Sequence, residues 1–146
     1  MGNFAQDLKL GVKAQEFIVK ELQMELPGLH SVDGNFSNYD LISSTGYTIE
    51  VKFDYISKNT ANVGIEYEYN KKPSGIAKTK ALDWLHIYFC KDNLVYTRVH
   101  STELKAYIHN NWKCLKKVNA GDNDASKLVL INKEDFINAF GFTSVN

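Results

Sequence analysis

The sequence predicts an α+β protein of the α/β/α type, in which a central mixed sheet of about five strands is flanked by helices. Three observations lead to this class. The chain has 146 residues, enough for one domain with a hydrophobic core. Several short stretches alternate apolar and polar residues with a period of two, as half-buried strands do. A long first segment instead repeats its apolar residues at helical spacing.

The composition is that of an ordered globular protein. Hydrophobic residues make up 44% of the chain and charged residues 23%. The 17 basic and 17 acidic residues cancel, which argues mildly against a nucleic-acid binder of the strongly basic kind, although local patches matter more than the total. The sequence shows no internal repeat and no linker. We therefore expect residues 1–146 to form a single domain.

Residues 4–26 predict an amphipathic helix that ends at Pro27-Gly28. Glu16 lies at the border of its apolar stripe. This carboxylate is either a solvated flank of the helix or a third acid that leans over an acidic site in the sheet. The stripe is formed by residues at three-, four- and seven-residue spacing, namely Leu8, Val12, Val19, Leu22 and Leu26.

Residues 39–54 predict a β-hairpin that turns at Ser44-Thr45-Gly46. Asp40, Glu50 and Lys52 share the phase opposite to the apolar residues of the two strands. Because residues two apart on a strand point to the same face, Glu50 and Lys52 project together. Pairing across the turn brings Asp40 beside them. The hairpin alone therefore predicts a patch of two carboxylates and one amine.

This patch has the chemistry of a phosphodiesterase site. Two carboxylates beside a backbone carbonyl make a hard oxygen site that suits Mg²⁺ or Mn²⁺. A neighbouring lysine can orient a water molecule or stabilise negative charge that develops on a phosphate. The alternative is an ion pair on the surface of a hairpin, because an Asp together with Glu-x-Lys also arises by chance.

The remaining chain supplies further strands and two helices. Within strand 63–69, Glu66 faces either solvent or the side that carries Asp40 and Glu50. Residues 119–126 predict a polar loop and Asp33-Gly34-Asn35 a turn. The other predicted strands span 29–32, 83–90, 94–99 and 127–131, and the other predicted helices span 101–110 and 132–141.

Residues 70–80 predict a basic loop that leads into a short helix. Lysines, hydroxyl groups and backbone amides in such a loop are donors for phosphate oxygens. A solvated loop is the alternative, but this segment directly follows a strand that we expect beside the acidic hairpin. Its candidate DNA-binding residues are Lys71, Lys72, Ser74, Lys78, Thr79 and Lys80.

Other classes of site find no support in the sequence. The four histidines do not cluster, and no P-loop, dinucleotide fingerprint or nucleophile elbow occurs. Cys90 and Cys114 lie in no Cys-x-x-Cys motif, and we see neither a signal peptide nor an apolar run of membrane-spanning length. We therefore expect a protein without membrane association, located in the cytoplasm of a bacterium or of a phage-infected host cell.

The order of these features resembles the PD-(D/E)XK nuclease superfamily over roughly residues 8–90. A helix with an acid is followed by a strand with Asp40, a strand with Glu50-Val51-Lys52, and a strand that leads into a lysine-rich Ser-Gly segment. Tyr39 stands where the proline of the family's name would be. The stretch from strand 63–69 to residue 79 resembles a subset of small, often phage-encoded nucleases.

The resemblance implies a restriction-endonuclease-like core and a metal-dependent DNA endonuclease, with branch- or junction-directed cleavage among the activities left open. It implies that Asp40 and Glu50 bind Mg²⁺, for which Mn²⁺ substitutes, together with the Val51 carbonyl. Lys52 becomes the catalytic lysine and Glu16 the acid that many members carry on a helix. Glu66 becomes a supporting residue, and a homodimer would suit the symmetric cleavage of two strands.

Two other functions stay open. The first is a non-catalytic module that binds nucleic acid or protein with the same fold. The second is a structural or inhibitor-type small α+β protein whose charges only decorate the surface. An intact Asp40, Glu50 and Lys52 set disfavours the first, because a non-catalytic relative has no physical reason to keep two acids together.

Overall fold

The computed structural model describes residues 4–32 and 39–145. These residues form three α-helices: α1 (Phe4–Leu22), α2 (Ser101–Asn110) and α3 (Lys133–Phe140). Short 3₁₀ helices occupy Tyr55–Asn59, Gly75–Ala77 and Asp122–Asp124. The strands are β1 (His30–Ser31), β2 (Leu41–Ile42), β3 (Thr48–Phe53), β4 (Asn62–Tyr69), β5 (Lys72–Pro73), β6 (Asp83–Cys90), β7 (Asn93–His100), β8 (Lys116–Ala120), β9 (Ser126–Asn132) and β10 (Thr143–Ser144).

The described strands form two sheets. A six-stranded mixed sheet has the order β1-β2-β3-β6-β7-β10, in which β3 and β6 run parallel and the other neighbours are antiparallel. A second, antiparallel sheet has the order β5-β4-β9-β8. The α+β class and the mixed sheet are thus confirmed. The expectation of one sheet of about five strands is wrong, because the chain divides its strands between two sheets.

Two hydrophobic cores lie against the mixed sheet. The first, which we call the α1 core, packs α1 on buried residues of β2, β3 and β6 such as Leu41, Ile49 and Leu85. The second, the central core, joins the two sheets and also receives residues from α2 and α3. Trp84 and Val63 are central-core residues from the mixed and the antiparallel sheet, respectively. One face of the mixed sheet therefore meets a helix and the other meets the second sheet with two helices.

Helix α1 is shorter than expected and presents a different stripe. It ends at Leu22 rather than at residue 26, although the Leu26 amide still donates to the Leu22 carbonyl at 2.7 Å. Ala14 and Ile18 are buried, whereas Val12 is 48% exposed, so its place in the predicted stripe is wrong. Val12 precedes Ala14 by two residues, which is about 200° around a helix, and it therefore points away from the core.

The predicted hairpin is confirmed. Leu41 pairs with Ile49 and Ile42 with Thr48 in antiparallel register. The turn is closed by the Ser43 amide, which donates to the Tyr47 carbonyl at 2.9 Å. Strands β2 and β3 thereby acquire the register on which the acidic patch depends.

Strand β4 exists as predicted, but it does not lie beside the acidic hairpin. It pairs with β5 and β9 in the antiparallel sheet, whereas the neighbours of β3 are β2 and β6. An alternating pattern specifies which residues share a face and leaves the pairing partner open. Segment 70–80, which follows β4, contains the short strand β5 and the 3₁₀ helix Gly75–Ala77.

Part of the predicted polar loop 119–126 is instead the end of strand β8. This strand pairs with β9, with Val118 opposite Leu128. The sequence hid β8 because it is an edge strand whose residues are mostly exposed, and so it lacks an apolar alternation. The predicted Asp33-Gly34-Asn35 turn lies outside the described residues.

The later elements agree with the sequence. Strands β6, β7 and β9 and helices α2 and α3 occupy the predicted segments. At the start of α3, the Asn132 side chain accepts a hydrogen bond of 2.9 Å from the Glu134 amide, as its predicted capping role requires. Within residues 4–32 and 39–145, no helix is both long and apolar enough to cross a membrane.

Candidate active site

Asp40 lies directly before β2. Its carboxylate provides a hydrogen-bond acceptor to β3 at a position where the short strand β2 provides none. The Asp40 amide donates to the Ile49 carbonyl at 3.0 Å, which continues the pairing of β2 with β3. The Val51 amide then finds a side chain in place of a backbone partner, because Asp40 Oδ2 accepts its hydrogen bond at 2.8 Å. This bond fixes the carboxylate against the middle of β3.

Glu50 and Lys52 lie on the face of β3 that points away from α1. Their neighbours Ile49 and Val51 are buried in the α1 core, and alternate residues of a strand face opposite sides. Lys52 Nζ lies 3.5 Å from Glu50 Oε2. The Asp40 carboxyl is within hydrogen-bonding reach of Glu50. The structure thus brings together the two carboxylates and the amine that the hairpin predicted.

Thr79 joins this cluster from the basic segment 70–80. Its hydroxyl donates to Glu50 Oε1 at 3.2 Å, and its side chain is buried. The Thr79 amide donates to the Gly75 carbonyl at 2.9 Å, so the 3₁₀ helix Gly75–Ala77 holds Thr79 in place. Thr79 thus makes a supporting contact to a candidate metal ligand, and its predicted contact with DNA stays a prediction.

The pKa of Glu50 is raised to about 7. Burial is the largest cause, since it penalises the charged carboxylate. Lys52 acts in the opposite direction, but its side chain is 40% exposed and water screens its attraction. The charge of Asp40 and its hydrogen bond to Glu50 raise the pKa further, whereas the Thr79 hydrogen bond lowers it. Glu50 is therefore poised to gain or lose a proton near neutral pH.

A second layer of residues underlies the cluster. Lys52 Nζ lies 5.9 Å from the centroid of the Trp84 ring. The Trp84 indole donates to His86 Nδ1 at 3.2 Å. An indole N–H can only donate, so Nδ1 accepts and the proton of a neutral His86 ring resides on Nε2. Nε2 then donates to Asp54 Oδ2 at 3.0 Å.

Asp54 ends this chain of contacts and ties the two sheets together. Its Oδ2 also accepts from the amide of Gly64 in β4 at 2.8 Å. Burial raises the pKa of Asp54, but the hydrogen bonds from His86, Gly64 and Ser57 outweigh it and hold the pKa below its usual value. Asp54 was not among the site residues predicted from the sequence, although it shares the strand phase of Glu50 and Lys52.

Glu66 lies against Gly75 of the basic segment rather than in the acidic cluster. Gly75 lies so close to Glu66 that an added Cβ would overlap the Glu66 carbonyl oxygen. Among the residues described, no hydrogen bond or ion pair joins Glu66 to Asp40 or Glu50. The Ser74 hydroxyl is buried and has no hydrogen-bond partner in the described part of the chain. As folded here, that hydroxyl cannot reach a DNA phosphate.

The four lysines of segment 70–80 are exposed. Lys78 and Lys80 flank Thr79 and therefore lie near the acidic cluster, whereas Lys71 and Lys72 belong to the turn and strand after β4. Within residues 4–32 and 39–145, none of the four forms an ion pair, so their charges are available to an anionic ligand.

Glu16 does not join the cluster. It is exposed on α1, and α1 packs on the opposite face of the mixed sheet from Glu50 and Lys52. No three His, Cys, Asp or Glu side chains in the described ranges lie close enough together to hold a metal ion. The role of Glu16 as a catalytic acid stays a prediction that no contact in the structure supports.

The arrangement can bind a hard cation and deliver an amine to the same point. The carboxylates of Asp40 and Glu50 converge, and the backbone of Val51 lies beside the carboxylate of Asp40. Mg²⁺ is commonly held by one or two carboxylates, with water and substrate phosphate completing its shell, so the lack of a third acid is compatible with that ion.

No protein-family model matches the chain, and no curated protein matches it.

Proposed function

We propose that this protein is a divalent-metal-dependent deoxyribonuclease that hydrolyses phosphodiester bonds as an endonuclease. The observation that carries the proposal is the convergence of Asp40, Glu50 and Lys52, with Lys52 Nζ 3.5 Å from Glu50 Oε2. Two acids on neighbouring antiparallel strands of a mixed sheet also support a restriction-endonuclease-like core. In this proposal the antiparallel sheet is an addition to that core.

The two carboxylates fit a divalent cation. They are close enough for the charge of Asp40 to raise the pKa of Glu50, and a cation between them would remove that repulsion. Mg²⁺ and Mn²⁺ prefer such oxygen donors, and the Val51 carbonyl is the candidate third donor. When bound, the ion would lower the pKa of a water molecule and neutralise charge on the phosphate.

The chain's own residues divide the remaining work. Lys52 Nζ donates a hydrogen bond to the attacking water or to a phosphate oxygen, which places positive charge where negative charge develops. Thr79 holds one oxygen of Glu50 and leaves the other to face Lys52. Trp84, below the Lys52 amine, limits the directions in which that amine can point.

The exposed lysines of segment 70–80 supply the contact with DNA. Lys78 and Lys80 flank Thr79, and Thr79 contacts Glu50. A DNA strand whose phosphate lies at Glu50 therefore passes near these two lysines. Replacing one of them, for example Lys78→Ala, should weaken binding to all sequences alike and reduce its salt dependence. We include branch or junction recognition in the proposal, as one of the activities that the family resemblance leaves open.

Nicking of supercoiled plasmid tests the activity. We expect nicking with Mg²⁺ or Mn²⁺ and none with EDTA. Asp40→Asn, Glu50→Gln and Lys52→Ala should each lower the rate by about 100-fold or more, because each removes a metal ligand or a charge at the reacting phosphate. Lys20→Ala, an exposed lysine of α1, is the matched control. If the Lys52→Ala variant nicks plasmid at the wild-type rate, Lys52 has no part in the mechanism.

A substrate panel tests the branch preference. Linear, nicked, flapped and four-way-junction DNA of the same sequence should be cleaved at different rates, with the branched substrates fastest. Equal rates on all four would indicate non-specific nicking instead. Sedimentation of the protein alone and with a junction tests the homodimer that symmetric cleavage requires.

The second candidate function is a non-catalytic binding module. It is favoured because only two acidic side chains converge at the site among the described residues. Melting in the presence of metal separates the two. A site that binds Mg²⁺ only in the folded state adds about 2.7 kcal/mol of stability at a free concentration 100 times its Kd. We expect Mg²⁺ to raise the melting temperature of the wild type, more at pH 8 than at pH 6 because a proton on Glu50 competes, and to leave Asp40→Asn unchanged. No shift in the wild type would contradict the metal site.

A further inference from the structure

An apolar pocket of about 370 Å³ lies beside segment 70–80, outside the acidic cluster. Its volume falls within the range of small-molecule sites. Two aromatic rings form one side, where Tyr67 and Trp112 meet edge to face with their centroids 5.2 Å apart. Ile76 and Ile108 are buried and form the floor. Trp112 itself is 39% exposed, which is unusual for so large an apolar ring.

The rim of this pocket is basic. Lys105 and His109 line it and are exposed, and Lys117 Nζ lies 4.6 Å from the centroid of the Trp112 ring. Lys113 and Lys116 follow Trp112 along the chain. None of the described lining residues carries a carboxylate. An apolar aromatic wall surrounded by cations is complementary to a flat ring that is attached to phosphate.

The pocket and the acidic cluster share one short structural element. Ile76 and Ala77 of the 3₁₀ helix line the pocket, and Thr79, two residues later, donates to Glu50. Two residue steps span at most about 7 Å of chain. The wall of the pocket at Ala77 therefore lies close to Thr79, the residue that contacts Glu50.

We propose that this pocket binds one unpaired nucleobase of the DNA substrate, stacked on Trp112, next to the phosphate at the acidic cluster. The inference rests on the proposed nuclease function and adds its substrate class: DNA with a single-stranded or unstacked nucleotide beside the cut, as at a branch or a flap. Every base offers a flat face to an aromatic side chain, so such a pocket recognises unpaired structure and tolerates any sequence. A base within an intact duplex is stacked on its neighbours and enters only at the cost of unstacking and unpairing.

Binding in EDTA tests the pocket without any need for cleavage. The probes are a single-stranded oligonucleotide, an abasic oligonucleotide of the same length, and a perfect duplex. Trp112→Ala should weaken binding of the single strand about 30-fold, the middle of the range for one stacked base, and should leave binding of the abasic strand unchanged. Trp112→Phe should restore most of the affinity, because it keeps a ring. Phe142→Ala removes another exposed aromatic side chain that does not line the pocket, and it should have no effect.

A second variant and a direct signal keep the test decisive. Ala77→Leu narrows the pocket from its other wall and should weaken single-strand binding in the same selective way, even if Trp112→Ala folds poorly. Because Trp84 is buried, the single strand should quench chiefly the fluorescence of Trp112, and the abasic strand should not. Equal losses for the base-containing and abasic strands would overturn the proposal.

Cleavage assays separate this inference from the proposed function. A protein that nicks plasmid with Mg²⁺, but whose Trp112→Ala variant binds single strands like the wild type, is a nuclease without this pocket function. A protein that nicks nothing but shows the selective Trp112 effect has a base-binding pocket and no nuclease activity.

Discussion

Glu50 shows how burial and a like charge outweigh a nearby cation. Its side chain is mostly buried and next to Asp40, while Lys52 is exposed enough for water to weaken its attraction. The raised pKa is thus the result of opposing physical effects, of which burial is the largest, rather than of one partner. In a metal-free protein, the ionised form of Glu50 costs stability. A bound cation converts this cost into metal affinity.

The stability of Glu50→Gln measures that cost. The folded-state pKa of about 7 lies above the ordinary value of 4.5, so the folded protein binds more protons than the unfolded chain between these values, and the Glu50 contribution to stability falls as the pH rises through this window. Glu50→Gln lacks this loss. Its free energy of unfolding relative to that of the wild type should therefore rise by about 3 kcal/mol from pH 4.5 to pH 8. Urea unfolding in EDTA at the two pH values measures the difference. A difference independent of pH would contradict the raised pKa.

Short elements place the chemistry of the site. Strand β2 spans only Leu41–Ile42, so the Asp40 side chain, rather than more backbone, satisfies the Val51 amide. The 3₁₀ helix Gly75–Ala77 is equally short, and its position depends on the close approach of Gly75 to Glu66. Two elements with few hydrogen bonds of their own therefore set where Asp40 and Thr79 meet Glu50.

A substitution of Gly75 should disturb this placement. Gly75 has a φ of +52°, and a Cβ there would overlap the Glu66 carbonyl. Gly46 has a φ of +88° with nothing within 4 Å of its Cβ position, so Gly46→Ala isolates the backbone strain, about 1–2 kcal/mol. Gly75→Ala should cost roughly 1–3 kcal/mol more, because packed backbone must also move. Chemical denaturation measures both free energies of unfolding. Equal losses would show that the approach to Glu66 is not limiting.

Across the whole molecule, the site lies where the two sheets meet. Asp54 follows β3 and binds the Gly64 amide of β4, while Lys133 Nζ at the start of α3 donates to the Ser57 carbonyl at 2.6 Å. Phe136 of α3 packs its ring 6.0 Å from that of His86, which in turn binds Asp54. The central core and the residues beneath Lys52 are therefore continuous.

Phe136→Ala should destabilise both sheets together. Phe136 is fully buried, and a Phe-to-Ala change in a core typically costs about 3–5 kcal/mol. Phe142→Ala, at a residue that is 51% exposed, should change stability by less than about 0.5 kcal/mol. Urea unfolding followed by tryptophan fluorescence and by far-UV circular dichroism should give coincident transitions. Separate transitions for the two probes would show that the sheets unfold independently.

Local patterns predicted the elements better than their partners. The hairpin of β2 and β3 was predictable because its turn and its alternating residues lie in one continuous segment. Strand β4 was predictable as a strand, but the sequence placed it beside β3 when it belongs to the other sheet. Strand β8 left no apolar pattern because it is an exposed edge. Val12 shows that a helical stripe can be assigned to the wrong residues when several phases are similarly apolar.

The sequence by itself determined the cluster of Asp40, Glu50 and Lys52, because a hairpin fixes the register of residues that are close along the chain. Only the tertiary structure decided what surrounds that cluster. Thr79 reaches Glu50, and Trp112 joins Tyr67, across sheets and loops that no local pattern connects. The separation of Glu16 from the cluster was decided in the same way, since the face on which α1 packs follows from burial in the complete core. Contacts between distant segments depend on the packing of the whole chain, and periodicity carries no information about them.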